Sequence, residues 1–411
     1  MKILLASYYP LPSLGGIWTF VSQLKNQLES CGHTVDIFSL NSESGNYRII
    51  GEQEMDRRQL QLNQRKRPRK QVIPFKQQKD GNSLMLNVEA NCYYMELSAL
   101  NYSLEQYDII HAQDVIAANV ISKIKPKSIP LVLSAHGYLS GAIFYHLKNQ
   151  YRNFNDNQIK NLSEYKYHNS LEKEGYRSSD LIHTQSKWMF NKLINEFSVS
   201  PQKLRTFPYA IDIKQLLNKT EAKSAISKPK DKKVILYSGR LVYLKGIHHL
   251  IDALGQLKKH RNDWVCWILG EGDLKKELQL QCQRLGIANQ VEFLGTKNNV
   301  LDYLKQADLF VLPSLQDTQP HSVMEAQVAG VPVIVSNAAG LPEMVTNGET
   351  GFIASVGDSQ QLFREMNYLL NNDPIRERLA SRAKEWGENH WSLTKLANNT
   401  LEMYKQAKNI L

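Results

Sequence analysis

The chain has 411 residues, of which 42% are hydrophobic, and it carries a net charge of +10 at pH 7. A chain of this length is too long for a single hydrophobic core and fits two domains. No stretch is long and apolar enough to span a membrane. The apolar run at the N-terminus is too short for a signal peptide, and the cysteines have neither metal-ligand spacing nor disulfide density. We therefore predict a cytoplasmic protein with reduced thiols at Cys31, Cys92, Cys266 and Cys282.

Nearly all of the excess positive charge lies in one segment. Residues 57–79 contain nine Lys or Arg residues and no acidic residue, which leaves +1 of the total +10 for the rest of the chain. Such a segment can be a solvated loop, bind nucleic acid, or attract anionic lipid at about 1 kcal/mol per basic residue. The apolar residues interspersed in this segment favour peripheral contact with the inner face of the membrane, and a solvated loop is the other interpretation. We expect no nucleic-acid partner.

The first half of the chain alternates between strands and helices. A strand over residues 2–6, a helix over residues 17–30 and a strand over residues 34–40 form a β-α-β opening, with Gly15 and Gly16 in its first turn. Residues 41–80 show no clear periodicity, and we expect a long, partly disordered insertion there. Further strands are predicted over residues 107–112, 131–135, 181–184 and 204–207, and a helical segment over residues 150–177.

Two of these strands have a histidine at or next to their end. His111 lies near the end of the strand over residues 107–112, and His136 directly follows the strand over residues 131–135, at the edge where open α/β sheets bind their ligands. An imidazole there can shuttle a proton or hydrogen-bond a sugar hydroxyl, and a structural histidine is the alternative at both positions. We regard His136 as the stronger candidate.

The second half repeats the alternation, which implies a parallel sheet with right-handed crossovers. Its strands are predicted over residues 234–238, 265–269, 291–294, 309–312 and 331–335. After the first of them, Arg240 supplies a planar bidentate donor and Lys245 a mobile point charge. Both lie where the carboxyl end of a strand meets the start of a helix, so we expect them to hold a diphosphate together. Residues 218–233, before this sheet, are predicted to be an exposed loop.

Residues 311–343 are the most informative segment of the chain. Pro320 is suited to begin a helix over residues 321–329. The first N–H groups of this helix would point outward as an anion site, and they belong to His321, Ser322 and Val323. Glu325 lies one turn further along the same face. A carboxylate that accepts hydroxyl hydrogen bonds beside a phosphate site suggests a ribose.

These residues resemble the nucleotide-sugar signature of family 4 glycosyltransferases, an acidic residue, seven others, then Glu, followed by Ala and a Gly-x-Pro-Val turn. Here the acidic pair is Asp317 and Glu325, and Thr-Gln-Pro replaces the glycines that follow the first position in many members. The Gly-Arg-x4-Lys-Gly pattern at residues 239–246 matches the family as well. The resemblance implies an α/β protein of GT-B architecture, two Rossmann-like domains whose parallel sheets face a central cleft.

The resemblance also implies the domain roles. Residues 1–208, joined by a C-terminal helix over residues 391–411, would bind the acceptor, and residues 209–390 would bind the nucleotide sugar. The implied catalytic residues are His136, Arg240, Lys245 and Asp317. The implied donor-binding residues are Gly15, Gly16, Arg240, Lys245, Gly295, Thr296, Asp317, His321, Ser322, Val323 and Glu325. The chain has no Asp-x-Asp metal clamp, so stabilisation of the leaving phosphate falls to Arg240, Lys245 and the helix beginning at His321, without a metal.

We therefore predict a retaining, metal-independent hexosyltransferase that takes a UDP- or GDP-sugar, with UDP favoured, and needs no further cofactor. Its acceptor would be a glycan, a lipid-linked or a small-molecule hydroxyl, in cell-surface polysaccharide or glycolipid biosynthesis. The alternatives are a nucleotide-sugar hydrolase or epimerase and a glycosyltransferase that acts on a small-molecule acceptor. A dinucleotide oxidoreductase is disfavoured because no turn supplies a complete Gly-x-Gly-x-x-Gly.

Overall fold

The computed structural model describes residues 1–13, 15–65, 83–218 and 226–410. Its contacts divide the chain into two compact units. The first unit is Met1–Pro208 with Leu393–Leu411, and the second unit is Tyr209–Ser392. Each unit surrounds one sheet with helices, which confirms the predicted α/β class with two Rossmann-like halves.

The sheet of the first unit has seven strands in the order β3-β2-β1-β4-β5-β6-β7. These strands are β1 (Lys2–Pro10), β2 (Thr34–Leu40), β3 (Tyr47–Ile49), β4 (Ile109–Ala112), β5 (Leu131–Ser134), β6 (Leu181–Thr184) and β7 (Leu204–Thr206). All neighbours pair in parallel except β2 and β3, which are antiparallel. The middle strands β4, β5 and β6 are buried at every position, as expected for a sheet covered on both faces.

The helices described before the second unit are α1 (Gly16–Ser30), α2 (Arg57–Arg65), α3 (Ser83–Ala99), α4 (Val115–Ser122), α5 (Leu139–Gln150), α6 (Asp156–Asn161), α7 (Ser163–Ser178) and α8 (Lys187–Phe197). Of these helices, α1, α3, α4 and α8 pack on this sheet. The apolar positions of α1 recur at helical spacing, so that Phe20, Leu24 and Leu28 are buried on one side. Asp114 caps α4 by accepting a hydrogen bond from the N–H of Ala117 at 2.7 Å.

The sheet of the second unit has six parallel strands in the order β10-β9-β8-β11-β12-β13. They are β8 (Lys233–Ser238), β9 (Trp264–Leu269), β10 (Val291–Gly295), β11 (Leu309–Leu312), β12 (Val333–Ser336) and β13 (Gly351–Ala354). The helices of this unit are α9 (Ile213–Asn218), α10 (Ile247–Lys258), α11 (Lys275–Arg284), α12 (Val300–Leu304), α13 (His321–Val328), α14 (Ser359–Asn371) and α15 (Asp373–His390). The strand order changes direction beside β8, which is where open α/β sheets form their ligand sites.

The last helix, α16 (Leu393–Lys408), belongs to the first unit. Its Tyr404 hydroxyl lies 2.7 Å from Nδ1 of His111, whose Nε2 lies 2.8 Å from Oγ of Ser134. Ser134 in turn contacts Nδ1 of His183 at 3.1 Å. Burial lowers the pKa of His111 to about 3 and that of His183 to about 4, so both rings are neutral at pH 7. A buried polar chain therefore ties α16 to the sheet.

The structure differs from the sequence predictions in several places. The expectation of an irregular insertion over residues 41–80 was wrong for β3 and α2, while residues 66–80 lie outside the described residues. The strand β3 is only three residues long, too short for a periodic pattern, and its pairing with β2 defines it. The helix α3 and the strand β13 were not predicted. The final helix begins at Leu393, and Trp391 is fully buried in the second unit, where its Nε1 donates to Oε1 of Gln327 at 2.9 Å.

Within the described residues, no helix combines the length and apolar character needed to cross a membrane. Residues 219–225, inside the predicted Lys-rich loop, lie outside the described part of the chain.

Candidate nucleotide-sugar site

Backbone hydrogen bonds join the loops that follow β8, β9 and β10. The N–H of Leu241 donates to the Glu271 carbonyl at 2.9 Å, and the N–H of Gly270 donates to the Gly295 carbonyl at 2.9 Å. A Cβ on Gly270 would come within 2.0 Å of the Gly239 carbonyl oxygen, so no other residue fits there without moving the loop. Three neighbouring strand ends thus form one connected surface, and this surface carries Arg240.

A further backbone contact fixes the turn that presents Lys245. This turn, Tyr243–Lys245, is a short 3-10 helix, and the Leu315 N–H donates to the Leu244 carbonyl at 2.8 Å. Gly246 follows in the left-handed conformation with φ of 62°, and an added Cβ would lie 2.0 Å from the Pro313 carbonyl oxygen. The loop after β11 therefore packs directly on the Lys245 turn.

We expect Gly246→Ala to destabilise the second unit strongly and to displace Lys245. Gly286→Ala is a matched control, because Gly286 has nearly the same φ, 68°, but a Cβ added there would meet nothing within 4 Å. Both variants bear the left-handed strain of about 1–2 kcal/mol, whereas only Gly246→Ala adds a steric clash. Urea unfolding of both variants measures the difference. Equal destabilisation would show that the close approach to Pro313 is not needed.

The structure brings two predicted catalytic residues into direct contact. Nζ of Lys245 forms an ion pair with Oδ2 of Asp317, and their side chains are only 15% and 13% exposed. Oγ of Ser314 donates to the same Asp317 oxygen at 3.2 Å. A lysine ammonium has three donors, so the contact with Asp317 leaves Lys245 able to bind a second acceptor.

The helix α13 begins at the predicted residue, directly after Pro320. No partner is present among the described residues for the backbone N–H groups of His321 and Ser322. The expectation for Val323 was wrong, since its N–H donates to the Pro320 carbonyl at 3.2 Å. Because the proline carbonyl already accepts this hydrogen bond, the anion site has one backbone donor fewer than predicted.

The His321 side chain is buried at the start of α13. Its ring stacks on Tyr209 with the ring centroids 5.8 Å apart, and Nε2 has no hydrogen-bond partner within the described residues. Burial lowers the pKa of His321 to about 4, although the nearby Asp317 carboxylate opposes this shift. Burying a polar nitrogen without a hydrogen bond costs free energy, so Nε2 of His321 is suited to a ligand contact.

The remaining predicted residues of the second unit lie on α13 or at the ends of β8 and β10. Glu325 is half-buried on α13, one turn beyond His321. Arg240 is exposed, and its carbonyl accepts a hydrogen bond from the Tyr237 hydroxyl at 2.9 Å. Thr296 is exposed directly after Gly295, at the end of β10. Their side chains are accessible at the edge of the sheet where the predicted donor would bind.

The other predicted residues belong to the first unit. Gly15 and Gly16 are exposed at the beginning of α1, and Gly15 occupies the N-cap position without a side-chain cap. His136 is half-buried after β5, and its ring meets the edge of Phe20 from α1 with centroids 4.6 Å apart. The first turn and His136 therefore lie at the same region of this unit. His111 is fully buried in the polar chain described above, which agrees with a structural role.

Three residues that contact predicted site residues were not identified from the sequence. Ser314 contacts Asp317, Tyr209 covers His321, and Gln113 contacts His136. The position of Gln113 directly after β4 was a usable signal, because polar residues at the carboxyl ends of parallel strands share one edge. Ser314 and Tyr209 offered no such signal.

Two further predictions concern metal and lipid. Among the described ranges, no group of three or more His, Cys, Asp or Glu side chains could hold a metal ion. The basic segment at residues 57–79 begins with α2, and residues 66–79 lie outside the described part. Arg57 packs on the protein, since its guanidinium lies 4.3 Å from the ring centroid of Tyr94 and donates to the Gly45 carbonyl at 2.9 Å.

Comparison with known proteins identifies the family of this chain. The solved structure of Anabaena HepE in complex with UDP and glucose superimposes with a TM-score of 0.69 at 21% identity, over 98% of this chain and 99% of that one. The family model of Glycosyltransferase Family 4 matches residues 14–215, and that of Glycosyl transferases group 1 matches residues 218–386. The chain is a GT-B glycosyltransferase with a family 4 domain.

Two curated relatives of this glycosyltransferase differ in how much of it they match. An uncharacterised glycosyltransferase of Methanocaldococcus jannaschii is 26% identical, with full coverage of both chains. The lipopolysaccharide core biosynthesis glycosyltransferase LpsE of Rhizobium meliloti is 28% identical over 40% of this chain and 47% of its own length. The predicted transferase activity and GT-B fold are therefore confirmed at the level of the family.

Proposed function

We propose that the second unit of this glycosyltransferase binds a nucleoside-diphosphate sugar, and that the first unit binds the acceptor. The observation that carries the proposal is the group formed by the Lys245–Asp317 ion pair and the start of α13. This group combines a cation, a carboxylate and backbone N–H groups in one unit. A diphosphate needs the first and last of these, and sugar hydroxyls need the carboxylate.

The diphosphate would be held by charge and by oriented donors. Arg240 projects from the loop after β8 and is exposed, so its guanidinium can meet two phosphate oxygens at once. Lys245 would use its remaining donors, and the N–H groups of His321 and Ser322 would add the positive end of the helix dipole. Donors already in place before the reaction stabilise the charge that develops on a leaving phosphate. This arrangement supports departure of the nucleotide without a metal.

The ribose and the donor sugar would contact the acidic residues. Glu325 would accept hydrogen bonds from the ribose hydroxyls, and Asp317 would accept one from the transferred sugar. Gly295 and Thr296, at the end of β10, would lie against the nucleobase. We favour a uridine nucleotide, and the complex of HepE with UDP supports this preference.

The reaction would retain the configuration at the anomeric carbon. The acceptor hydroxyl would attack from the face that the nucleotide leaves, and a departing phosphate oxygen would take the hydroxyl proton. His136 would contact a sugar hydroxyl. Determining the anomeric configuration of the product by NMR tests this assignment directly.

The acceptor would be a hydroxyl of a cell-surface glycan or glycolipid. The relative LpsE, which acts in lipopolysaccharide core biosynthesis, supports this class. The basic segment at residues 57–79 would add peripheral contact with anionic lipid at the cytoplasmic face. Vesicles with and without phosphatidylserine distinguish such contact from a solvated loop.

A nucleotide-binding screen tests the donor assignment. We expect one of UDP, GDP or ADP to raise the melting temperature without magnesium, because a ligand of the folded state stabilises it. Glu325→Gln should weaken that nucleotide roughly 10–100-fold, since it removes charge-assisted hydrogen bonds of about 1.5–3 kcal/mol. Glu343→Gln, also in the second unit, is the control and should bind as the unaltered protein does. Equal affinity in all three proteins would refute the ribose contact.

A further inference from the structure

His136 is held from both sides by glutamines that follow the neighbouring strands. The strand β5 pairs in parallel with β4 on one side and with β6 on the other. Gln113 follows β4 and Gln185 follows β6, and their exposed fractions are 0% and 3%. Because neighbouring parallel strands end at the same edge of a sheet, both amides lie at the edge where His136 follows β5.

The orientation of the Gln113 amide is determined by its backbone partner. Nε2 of Gln113 donates to the carbonyl oxygen of His111 at 3.0 Å. A carbonyl oxygen can only accept, so the amide nitrogen must lie on that side. The amide oxygen of Gln113 then faces the other way, and it lies 3.0 Å from Nε2 of His136.

This orientation decides which ring nitrogen of His136 carries the proton. An amide oxygen can only accept a hydrogen bond, so Nε2 of His136 must be the donor. In a neutral imidazole the other nitrogen is then unprotonated. We propose that Gln113 is a positioning residue that fixes neutral His136 as the Nε2–H tautomer, with Nδ1 as the nitrogen that can accept a hydrogen bond.

Other contacts keep the ring from turning over. Nε2 of Gln185 donates to the backbone carbonyl of His136 at 3.3 Å, which holds the main chain. The ring of Phe20 meets the imidazole at an interplanar angle of 73°, which restricts rotation of the side chain. A rotated ring would place a carbon against the buried Gln113 oxygen and leave that oxygen unsatisfied, which disfavours the rotated state.

The tautomer restricts what His136 can do for a substrate. In this tautomer Nδ1 can only accept a hydrogen bond. A sugar hydroxyl could therefore donate to Nδ1, whereas a carbonyl or ether oxygen, which has no proton to donate, could not bind there. This consequence rests on the proposed function of His136, whereas the tautomer itself does not. The two are therefore tested by different measurements.

Nitrogen NMR of the histidine-labelled full chain tests the proposal. The His136 signals are assigned by their loss in His136→Phe. We expect the unaltered protein at pH 8 to show a protonated Nε2 and an unprotonated Nδ1. Gln113→Met keeps the volume and removes the acceptor, so both shifts should move toward the average of two exchanging tautomers. Gln185→Met is the matched control and should keep the original shifts, because Gln185 contacts the backbone and not the ring.

Three results would overturn the proposal. A protonated Nδ1 in the unaltered protein would contradict it even if Gln113→Met fails to fold. Tautomer-averaged shifts in the unaltered protein would do the same. Unchanged shifts in a folded Gln113→Met would show that Gln113 does not select the tautomer. Nucleotide affinity is measured in parallel, and its absence in the unaltered protein would refute the donor assignment while leaving the tautomer result intact.

Discussion

Lys245→Met is expected to lower the free energy of unfolding of the second unit by about 3 kcal/mol and to remove most of the affinity for the donor nucleotide. The stability loss follows because Asp317, only 13% exposed, would keep its charge without the ammonium that neutralises it. The affinity loss follows because the same ammonium is proposed to hold a phosphate. Urea unfolding and calorimetric titration with the nucleotide measure the two effects separately.

The double variant Lys245→Met/Asp317→Asn separates structure from binding. It removes both charges, and the asparagine keeps an oxygen for the hydroxyl of Ser314. We expect it to recover most of the stability, because no uncompensated charge is left. Nucleotide affinity should stay low, since the cation is still missing. Recovery of both properties would mean that the ion pair is structural and that Lys245 does not contact the donor.

Arg240→Ala is expected to leave stability unchanged and to reduce turnover of the nucleotide sugar roughly 100–1,000-fold. Arg240 is exposed, and surface substitutions usually change the free energy of unfolding by less than about 0.5 kcal/mol. The large kinetic effect follows because a cation that faces the leaving diphosphate stabilises charge that is greatest in the transition state. Release of nucleoside diphosphate from the sugar nucleotide identified by the screen measures turnover.

Two further variants check this assignment. Arg284→Ala removes another exposed arginine, from α11 of the same unit, and should have no effect on turnover. Arg240→Lys keeps the charge but loses the planar pair of donors, so we expect only partial activity. If Arg240→Lys is as active as the unaltered enzyme, a point charge is enough and bidentate contact is excluded.

Much of the fold could be predicted from periodicity and chain order. The buried strand β11 is a short apolar run, and the structure has both β11 and β6 at the predicted residues. The strand β3 and the helix α3 escaped prediction for different reasons. The first depends on pairing with β2, and the second has no polar face that would reveal a helical period.

The site could be predicted only as far as local chemistry allows. A proline before an apolar helix indicated the start of α13, and the position of Arg240 and Lys245 between a strand end and a helix start indicated a diphosphate site. The assumption that all of the first N–H groups are available failed at Val323, because the Pro320 carbonyl turns toward it. Such a detail depends on backbone angles that residue types do not specify.

By itself the sequence determined the α/β class, the position of α13 and the residue types that can bind a phosphate. Only the tertiary structure decided which of those residues meet. Lys245 reaches Asp317 across 72 positions of the chain because the loop after β11 packs on the Lys245 turn. Gln113 reaches His136 because β4 and β5 are parallel neighbours, so the loops that follow them leave the sheet at the same edge. Contacts of this kind depend on strand order and register, which are set by the packing of the whole unit and not by local sequence.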